Sequence, residues 1–257
     1  MISSKSTRLF FVVFFFSALS LLSLSNQNED DDHKNNVSIT AMRPNPITPG
    51  AFDHYILAIQ WAPSVCQGSK SKCKMPYTAE FGIHGLWPNL IGVPENQQPA
   101  GCDPKNVLDY NQLNPIIKDL SDTWPDLMQK PATPPGKNEF WEKEWLKHGT
   151  CSGLSMFDYF NQTMVLFGGL HLQTSLGQMG YNPGTGAKYS ISKIINSWAT
   201  TYKASPRIIC KTVMASPSLN EMRFNISKSF AVQSMVGDRS ASCPPTTSLN
   251  DDISFPA

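Results

Sequence analysis

Six cysteines constrain the fold of this 257-residue chain more than any other feature of its sequence. They stand at positions 66, 73, 102, 151, 210 and 243, all beyond an apolar N-terminal segment. An even number of cysteines in a secreted chain favours disulfides, here three, and six cysteines allow fifteen pairings. Sequence spacing favours only one pair, Cys66 with Cys73, which would close a local loop. The sequence has no Cys-x-x-Cys pair, which disfavours metal binding by these thiols.

The first 25 residues predict a secretory signal peptide. Lys5 and Arg8 precede an apolar run over residues 9–24, and small and polar residues follow it. The alternative is an uncleaved membrane anchor, but the run is shorter than the roughly 20 residues that span a bilayer. No later segment approaches that length. We therefore expect a secreted protein, extracellular or vacuolar, whose mature form has no membrane partner.

Beyond the signal segment, composition predicts a short leader and one domain. Residues 26–51 are polar, with an acidic cluster and three prolines, so we expect a disordered leader. Residues 52–257 have the right length for a single domain with a sizeable core. Residues 1–50 hold four of the 21 basic and four of the 20 acidic side chains, which leaves 17 against 16. Charge alone therefore gives no argument for nucleic-acid binding.

Periodicity and turn residues predict an α+β domain with a mostly antiparallel central sheet and flanking helices, stabilised by disulfides. Predicted strands cover residues 52–61, 81–87, 207–213, 221–226 and 229–236, and predicted helices cover 110–120, 139–148, 156–167 and 190–203. Ser190 or Ser192 can cap the last helix, and Pro206 follows its end. A loop rich in Gly, Pro and Asn, residues 89–101, is expected to form the rim of a substrate site.

One predicted helix, over residues 139–148, carries an acid–base group. It is amphipathic, with aromatic residues at helical spacing and Gly149 at its end. Glu144 and His148 are four residues apart and share one face, with Lys147 next to both. The alternative is that these three side chains form the solvated face of a surface helix. A zinc-binding helix would need two histidines four residues apart, and position 144 is Glu.

A second segment, Phe-Gly-Ile-His-Gly-Leu-Trp-Pro at residues 81–88, places His84 in an apolar run flanked by two glycines. The alternative for such a histidine is a hydrogen-bonded core residue. Together the two segments resemble the two active-site segments of the ribonuclease T2 family, secreted ribonucleases that include the plant self-incompatibility ribonucleases. The resemblance extends to Cys-Asp-Pro at Cys102 and Ile-Gln-Trp at Trp61, and it covers most of residues 52–257.

The resemblance implies an endoribonuclease without metal or cofactor, with residues 52–257 as its catalytic domain and single-stranded RNA as its substrate. RNA carries its own nucleophile, the 2′-OH beside the scissile phosphate, so one base and one acid suffice to form a 2′,3′-cyclic phosphate. Two histidines suit this chemistry because a pKa near 6.5 lets one be neutral while the other is charged. The resemblance assigns His84 as general acid and His148 as general base, with Glu144 and Lys147 stabilising the transition state.

Substrate contacts are also implied by the resemblance. They fall on four side chains: Trp87 at the first base, Gln60 and Phe140 at the second base, and Lys143 beside the phosphate. Lys143 stands where many members have a histidine. Asn89 and Val93 stand where several members have Asp and Tyr beside the first base, so base preference is not carried over. The alternative for Trp87 and Phe140 is a purely structural role as core aromatics.

The resemblance pairs Cys102 with Cys151 and Cys210 with Cys243. Many members have a further bridge, and its cysteines are missing here near residues 230–242. Removing a native disulfide typically costs about 2–5 kcal/mol, so we expect a lower stability than in those members.

Three Asn-x-Ser/Thr sites are candidate glycan acceptors in a secreted chain: Asn36, Asn161 and Asn225. The histidines outside the two motifs and the leader, His54 and His171, are expected to be structural or surface residues.

Two biological roles fit such an enzyme: general RNA degradation, for phosphate scavenging or defence, and pistil self-incompatibility. A pollen F-box protein would be a partner only in the second role, and we expect a monomer in either. The alternative to an enzyme is an inactive storage or recognition protein on the same fold. Such proteins usually lose one of the two histidines, and both are present here.

Overall fold

The structure is a computed structural model, and it describes residues 48–67, 73, 77–128, 136–235, 241–244 and 247–257. The predicted signal peptide, residues 26–47 of the predicted leader and the candidate glycan acceptor Asn36 lie outside these residues. Within the described part of the chain, no helix combines the length and the apolar character needed to cross a membrane.

The strands form one sheet that is mostly antiparallel. In chain order the described residues contain β1 His54–Trp61, β2 Phe81–Asn89, β3 Lys188–Ser190, β4 Arg207–Val213, β5 Ser216–Ile226, β6 Val232–Gln233, β7 Ala241–Ser242 and β8 Asp252–Ser254. The central order is β2-β1-β5-β4, with antiparallel neighbours throughout. Only the short strands β7 and β8 add parallel pairings among the described residues. The predicted fold class is confirmed, although the strand predicted over residues 229–236 is reduced to β6.

The described residues contain seven α-helices: α1 Ala62–Gln67, α2 Tyr110–Leu113, α3 Ile117–Thr123, α4 Glu139–Lys147, α5 Met156–Leu170, α6 Leu172–Gln178 and α7 Ile191–Tyr202. The helix predicted over residues 110–120 is divided into α2 and α3 by a 3₁₀ turn, Asn114–Ile116. Pro115 explains this break, because it lacks the backbone N–H that would continue the α-helical hydrogen bonds. The predicted cap of α7 is absent: the hydroxyl of Ser190 contacts that of Ser192 at 3.0 Å instead of a backbone N–H.

The apolar core lies between the sheet and helices α5 and α7. Tyr159 and Phe160 of α5 are fully buried, and the Tyr159 hydroxyl donates to the carbonyl of Leu86 in β2 at 3.0 Å. Trp198 of α7 is also fully buried, with its ring 5.3 Å from that of Phe224 in β5. With one face of β2 and β5 covered in this way, polar side chains of these strands project from the other face.

Strand β2 contains a β-bulge at His84. Ile83 pairs with Ile59 of β1 and Gly85 pairs with Ala58, which leaves His84 as the extra residue. Positions 83 and 86 are both fully buried, although strict alternation would place residues three apart on opposite faces. The bulge therefore turns His84 away from the core while the apolar residues on both sides of it stay inside.

Strand β5 contains a second bulge, at Asn220. Glu221 pairs with Ile209 of β4 and Leu219 pairs with Cys210, so Asn220 has no partner in this register. As in β2, apolar residues three apart, at positions 219 and 222, are both fully buried. Bulges often re-aim side chains next to active sites, and this one directly precedes Glu221.

Three disulfides tie the elements together. They join Cys66 to Cys73, Cys102 to Cys151 and Cys210 to Cys243, the pairings that spacing and the resemblance indicate. The second of them links the loop ahead of α2 to the 3₁₀ turn that follows α4. A backbone hydrogen bond of 2.9 Å from Gly101 to the Lys147 carbonyl lies beside it, so the end of α4 is fixed to this loop.

Candidate active site

A groove of about 1000 Å³ opens on the polar face of β2 and β5. Most of residues 89–100 line it, as predicted for the rim of a substrate site. Its ionisable lining side chains come from strands, helix α4 and this loop: His54, His84, Glu95, Glu144, Lys147, His148, Arg207 and Arg223. Residues of both sequence motifs therefore meet in one groove.

Helix α4 is anchored on one side by two indoles. Asn138 caps its start by accepting hydrogen bonds from two backbone N–H groups of the first turn. Nε1 of Trp141 donates to the carbonyl of Trp124, and Nε1 of Trp145 donates to that of Asn106, each at 2.7 Å. Because both indoles are buried, the opposite side of the helix is directed to the groove.

The groove side of α4 carries Glu144 and Lys147, with His148 directly after its last residue. Glu144 and His148 are 7% and 9% exposed, so the alternative of a solvated helix face is wrong for these two residues. Lys147 is exposed and lines the groove. Gly149 follows because a Cβ at that position would collide with the ring of Trp145. A glycine thus lets the chain turn directly behind His148.

The imidazole of His84 lies between two carboxylates. Its Nδ1 is 2.6 Å from Oε1 of Glu221, and its Nε2 is 3.9 Å from Oε1 of Glu144. The side chain is 29% exposed and lines the groove, so the alternative of a core histidine is wrong.

Trp87 connects the two histidines. Its Nε1 donates to Oε2 of Glu144 at 2.9 Å, and its ring stacks on that of His148 with centroids 5.2 Å apart. The ring of His84 meets it edge-on at 5.0 Å. Gly85 permits this arrangement, because a Cβ there would collide with both the Glu144 carboxylate and the Trp87 indole nitrogen. The two sequence motifs are therefore packed into one unit.

The pKa values of the two imidazoles are displaced in opposite directions. Burial lowers the pKa of His84, but the hydrogen bond and charge of Glu221 and the charge of Glu144 outweigh it, and the pKa lies above 6.5. Burial, then the positive charges of Lys147 and His84, lower the pKa of His148 to about 3. Near neutral pH His148 is consequently uncharged, whereas His84 retains a proton more readily than an ordinary histidine.

Sequence reasoning missed two charged residues of this site, Glu221 and Arg223. Glu221 is 4% exposed, and its Oε2 accepts a hydrogen bond of 2.9 Å from Nε of Arg223. Burial raises the pKa of Glu221, but its contacts with His84 and Arg223 outweigh this and lower it overall. The signal in the sequence is weak: two opposite charges alternate with apolar residues in one predicted strand, and nothing there points to His84.

Only some of the side chains implied as substrate contacts line the groove. Trp87, Asn89 and Val93 line the groove. Gln60 is 6% exposed in β1, and neither it nor Phe140 or Lys143 belongs to the lining. Phe140 packs near His84 with ring centroids 5.6 Å apart. Lys143 is 70% exposed and pairs with Glu139 at 3.4 Å, so its ammonium lies away from the groove.

Asn161 and Asn225 occupy different environments. Asn161 is partly exposed on α5 and remains a candidate glycan acceptor. Asn225 is 2% exposed in β5, and its Nδ2 donates to the carbonyl of Ser234. A glycan on that nitrogen does not fit this packing, so the prediction for Asn225 is wrong because strand pairing buries the sequon.

His171 and His54, the histidines outside the two motifs, also lie in different environments. His171 is exposed and ends α5 with φ of 43°, in agreement with a surface role. His54 is buried and lines the groove, so its surroundings include the candidate site.

The described residues contain no group of three His, Cys, Asp or Glu side chains arranged to hold a metal ion. The acidic residues nearest His84 are instead engaged by hydrogen-bond donors, Glu144 by Trp87 and Glu221 by Arg223.

Comparison with known proteins relates this site to a defined group of enzymes. The sequence profile of the Ribonuclease T2 family matches residues 52–239. Intracellular ribonuclease LX of Solanum lycopersicum is 32% identical over 64% of this chain and 68% of its own length. Extracellular ribonuclease LE of the same species is 33% identical over 62% and 69%.

A solved structure shows the same fold. The crystal structure of RNase NT in complex with 5′-AMP superposes with a TM-score of 0.67 and 27% identity, covering 80% of this chain and 98% of that one. The profile match spans most of the described domain, including β2, α4 and β5. This chain belongs to the ribonuclease T2 family and is an RNA-cleaving enzyme.

Proposed function

We propose that this endoribonuclease cleaves single-stranded RNA by transphosphorylation, with His148 as general base, His84 as general acid and no metal ion. The observation that carries the proposal is one groove in which His84 lies between two carboxylates and His148 is buried beside Lys147, so that their pKa values are displaced in opposite directions. Pairs of groups whose environments separate their pKa values are suited to acid and base roles in one reaction. The alternative of an inactive storage or recognition protein is disfavoured because both imidazoles line the groove.

In the proposed first step His148 takes the proton of the 2′-OH, and the 2′-oxygen forms a bond to phosphorus. The bond from phosphorus to the 5′-oxygen breaks, and that oxygen receives the proton from Nε2 of His84. The products are a 2′,3′-cyclic phosphate and a free 5′-OH. Water can then open the cyclic phosphate with the two histidines exchanging roles. The phosphodiester anion would raise the pKa of the neighbouring His148 and so improve it as a base.

Glu144 and Lys147 are proposed to stabilise the charge that develops around phosphorus. Burial raises the pKa of Glu144, while the charge of His84 and the hydrogen bond from Trp87 act in the opposite direction. Its carboxyl group therefore responds to a change of charge on His84. Lys147 lines the groove beside His148, so it can place a positive charge near the phosphorane oxygens. Lys143 points away, and we assign it no phosphate contact.

We propose secretion to the cell exterior for the natural protein. The predicted signal peptide and the three disulfides support this, because disulfides persist in oxidising compartments. Of the two relatives compared, one is named extracellular and the other intracellular, so a vacuolar or other internal destination is the alternative.

The test is cleavage of an oligoribonucleotide by the purified protein in the presence of a chelator, with 2′,3′-cyclic ends scored by mass spectrometry. His84→Ala and His148→Ala should each lose about 10²–10⁴-fold in kcat, the usual contribution of a general acid or base. His171→Ala is the matched control, because this exposed histidine directly after α5 does not line the groove and should keep full activity. A 2′-deoxy substitution at the scissile nucleotide should abolish cleavage. Loss of activity with chelator, or full activity in His84→Ala, would overturn the mechanism.

A further inference from the structure

Behind His84, away from Glu144, lies a buried polar chain. Oε1 of Glu221 contacts Nδ1 of His84 at 2.6 Å, and Oε2 of Glu221 accepts from Nε of Arg223 at 2.9 Å. The side chains of Glu221 and Arg223 are only 6% and 14% exposed. Each carboxylate oxygen therefore has its own partner, and the carboxylate cannot rotate without breaking one of these contacts.

We propose that Glu221 is a positioning residue for the general acid: its carboxylate fixes the proton of His84 on Nδ1 and aims Nε2 at the leaving 5′-oxygen. The proposal rests on the acid role of His84. Glu221 itself touches neither substrate nor reacting atoms.

The strand architecture brings the two side chains together across β1. Gln60 of β1 pairs with Glu221 on one side and with Gly82 on the other, and Ala58 pairs with Arg223 and with Gly85. Ala58, which lies between Gly85 and Arg223 in this register, adds only a methyl group to the space above β1 in which the imidazole and the carboxylate meet. The bulges at His84 and Asn220 direct both side chains to this space.

The chemistry of the contact fixes the tautomer. An ionised carboxylate only accepts hydrogen bonds, so Nδ1 must donate to Glu221 whether the ring is neutral or charged. The second proton of the charged ring is then always on Nε2, which faces Glu144 at 3.9 Å. This is the proton that transfer to the leaving oxygen would use, and the Nδ1 proton stays with the Glu221 contact throughout.

Arg223 adds to the effect of His84 in lowering the pKa of the Glu221 carboxyl group. Its Nη1 pairs with Glu95 at 3.0 Å on the groove rim, and its guanidinium lies 4.8 Å from the ring of Trp87. The ionisable groups around His84 are thus Glu221 and Arg223 from β5, and Glu144, Lys147 and the uncharged His148 from the α4 side. The two carboxylates dominate, because the pKa of His84 lies above its ordinary value despite burial.

Glu221→Gln tests the proposal. The single amide oxygen should turn to Arg223, which can only donate, and the NH₂ group would then face Nδ1. Nδ1 would have to accept, so the charged ring would be disfavoured. On a dinucleotide we expect kcat to fall about 10–100-fold with KM within about threefold, and the basic limb of the pH profile to move to lower pH.

A leaving-group comparison separates positioning from a structural role. The four ribonucleoside 3′-(4-nitrophenyl phosphates) have a leaving group that needs no protonation, so both His84→Ala and Glu221→Gln should lose far less activity on them than on dinucleotides. The double variant should be no worse than His84→Ala alone on dinucleotides. Asp122→Asn, an exposed carboxylate that pairs with Lys118, is the matched control and should behave as wild type.

The possible outcomes separate a failure of the positioning role from a failure of the proposed function. Equal losses of Glu221→Gln on both substrate classes, or an unchanged pH profile, would overturn the positioning role. A fully active Glu221→Gln beside an inactive His84→Ala would overturn it while leaving the proposed function intact. Full activity of His84→Ala would instead remove the proposed function itself. Thermal unfolding of each variant shows whether a loss of activity reflects misfolding, and Glu221→Asp, which keeps the charge, should restore part of the lost rate if the protein folds.

Discussion

The two motif histidines, His84 and His148, have the same side chain but opposite surroundings. His84 belongs to a strand and lies between the carboxylates of Glu144 and Glu221. His148 ends a helix beside Lys147, and its Nδ1 is buried with no hydrogen-bond partner among the described residues. Burial disfavours a charge on both rings, but only His84 has carboxylates that overcome it. The proposed division into acid and base therefore follows from which elements surround each ring, before any RNA is bound.

Among the charged neighbours of the two rings, Glu144 should have the largest effect when it is replaced. Glu144→Gln deletes a charge that raises the pKa of His84, whereas its amide oxygen can still accept the hydrogen bond from Nε1 of Trp87. We expect kcat to fall about 100-fold at pH 5 and the pKa of His84, followed by NMR of its ring protons, to decrease. If activity falls while the pKa of His84 is unchanged, Glu144 acts only on the phosphorane. Glu144 would then no longer count among the two carboxylates that distinguish the surroundings of His84 from those of His148.

The pH profile of the wild type should reflect the asymmetry directly. A general acid must be protonated, so kcat/KM should fall as pH rises through the pKa of His84, which lies above 6.5. A general base must be neutral, so activity should persist in acid until pH approaches about 3. A profile centred above pH 8 would contradict this assignment.

Lys147→Met tests how far the charge of Lys147 lowers the pKa of His148. Lys147 lowers the pKa of His148, so its removal should raise that pKa and move the acid limb of the profile to higher pH. Loss of its positive charge near phosphorus should also reduce kcat about tenfold. An unmoved acid limb would show that burial alone keeps His148 neutral.

Lys143→Met should have the smallest effect and serves as the matched control for Lys147→Met. The two lysines lie on the same helix, but Lys143 is 70% exposed and paired with Glu139. We expect kcat/KM within about twofold of wild type and a stability change below about 1 kcal/mol, as for other exposed ion pairs. A tenfold loss would instead support the phosphate contact that the resemblance implies for Lys143.

How far the sequence predicts the site depends on how local each contact is. Glu144, Lys147 and His148 follow from helical spacing within one segment, and β4 has the predicted bounds. Glu221 reaches His84 only through two bulges and an intervening strand, and no short-range pattern encodes that meeting. For the same reason the sequon at Asn225 gives no sign that this residue is buried by the strands that pair on either side of it.

The disulfide between Cys102 and Cys151 affects how readily this enzyme would cleave the RNA of the cell that makes it. It fastens the end of α4, and with it His148, to a loop almost fifty positions away along the chain. In the cytosol, where glutathione keeps thiols reduced, this disulfide would be missing, and the proposed base would lose a rigid support. On the proposed route of secretion, a copy that failed to leave the cytosol would therefore cleave cellular RNA less efficiently than one matured outside it. Comparing the RNA-cleavage rates of the oxidised protein and of Cys102→Ser at equal folded fraction would measure the contribution of this disulfide to activity.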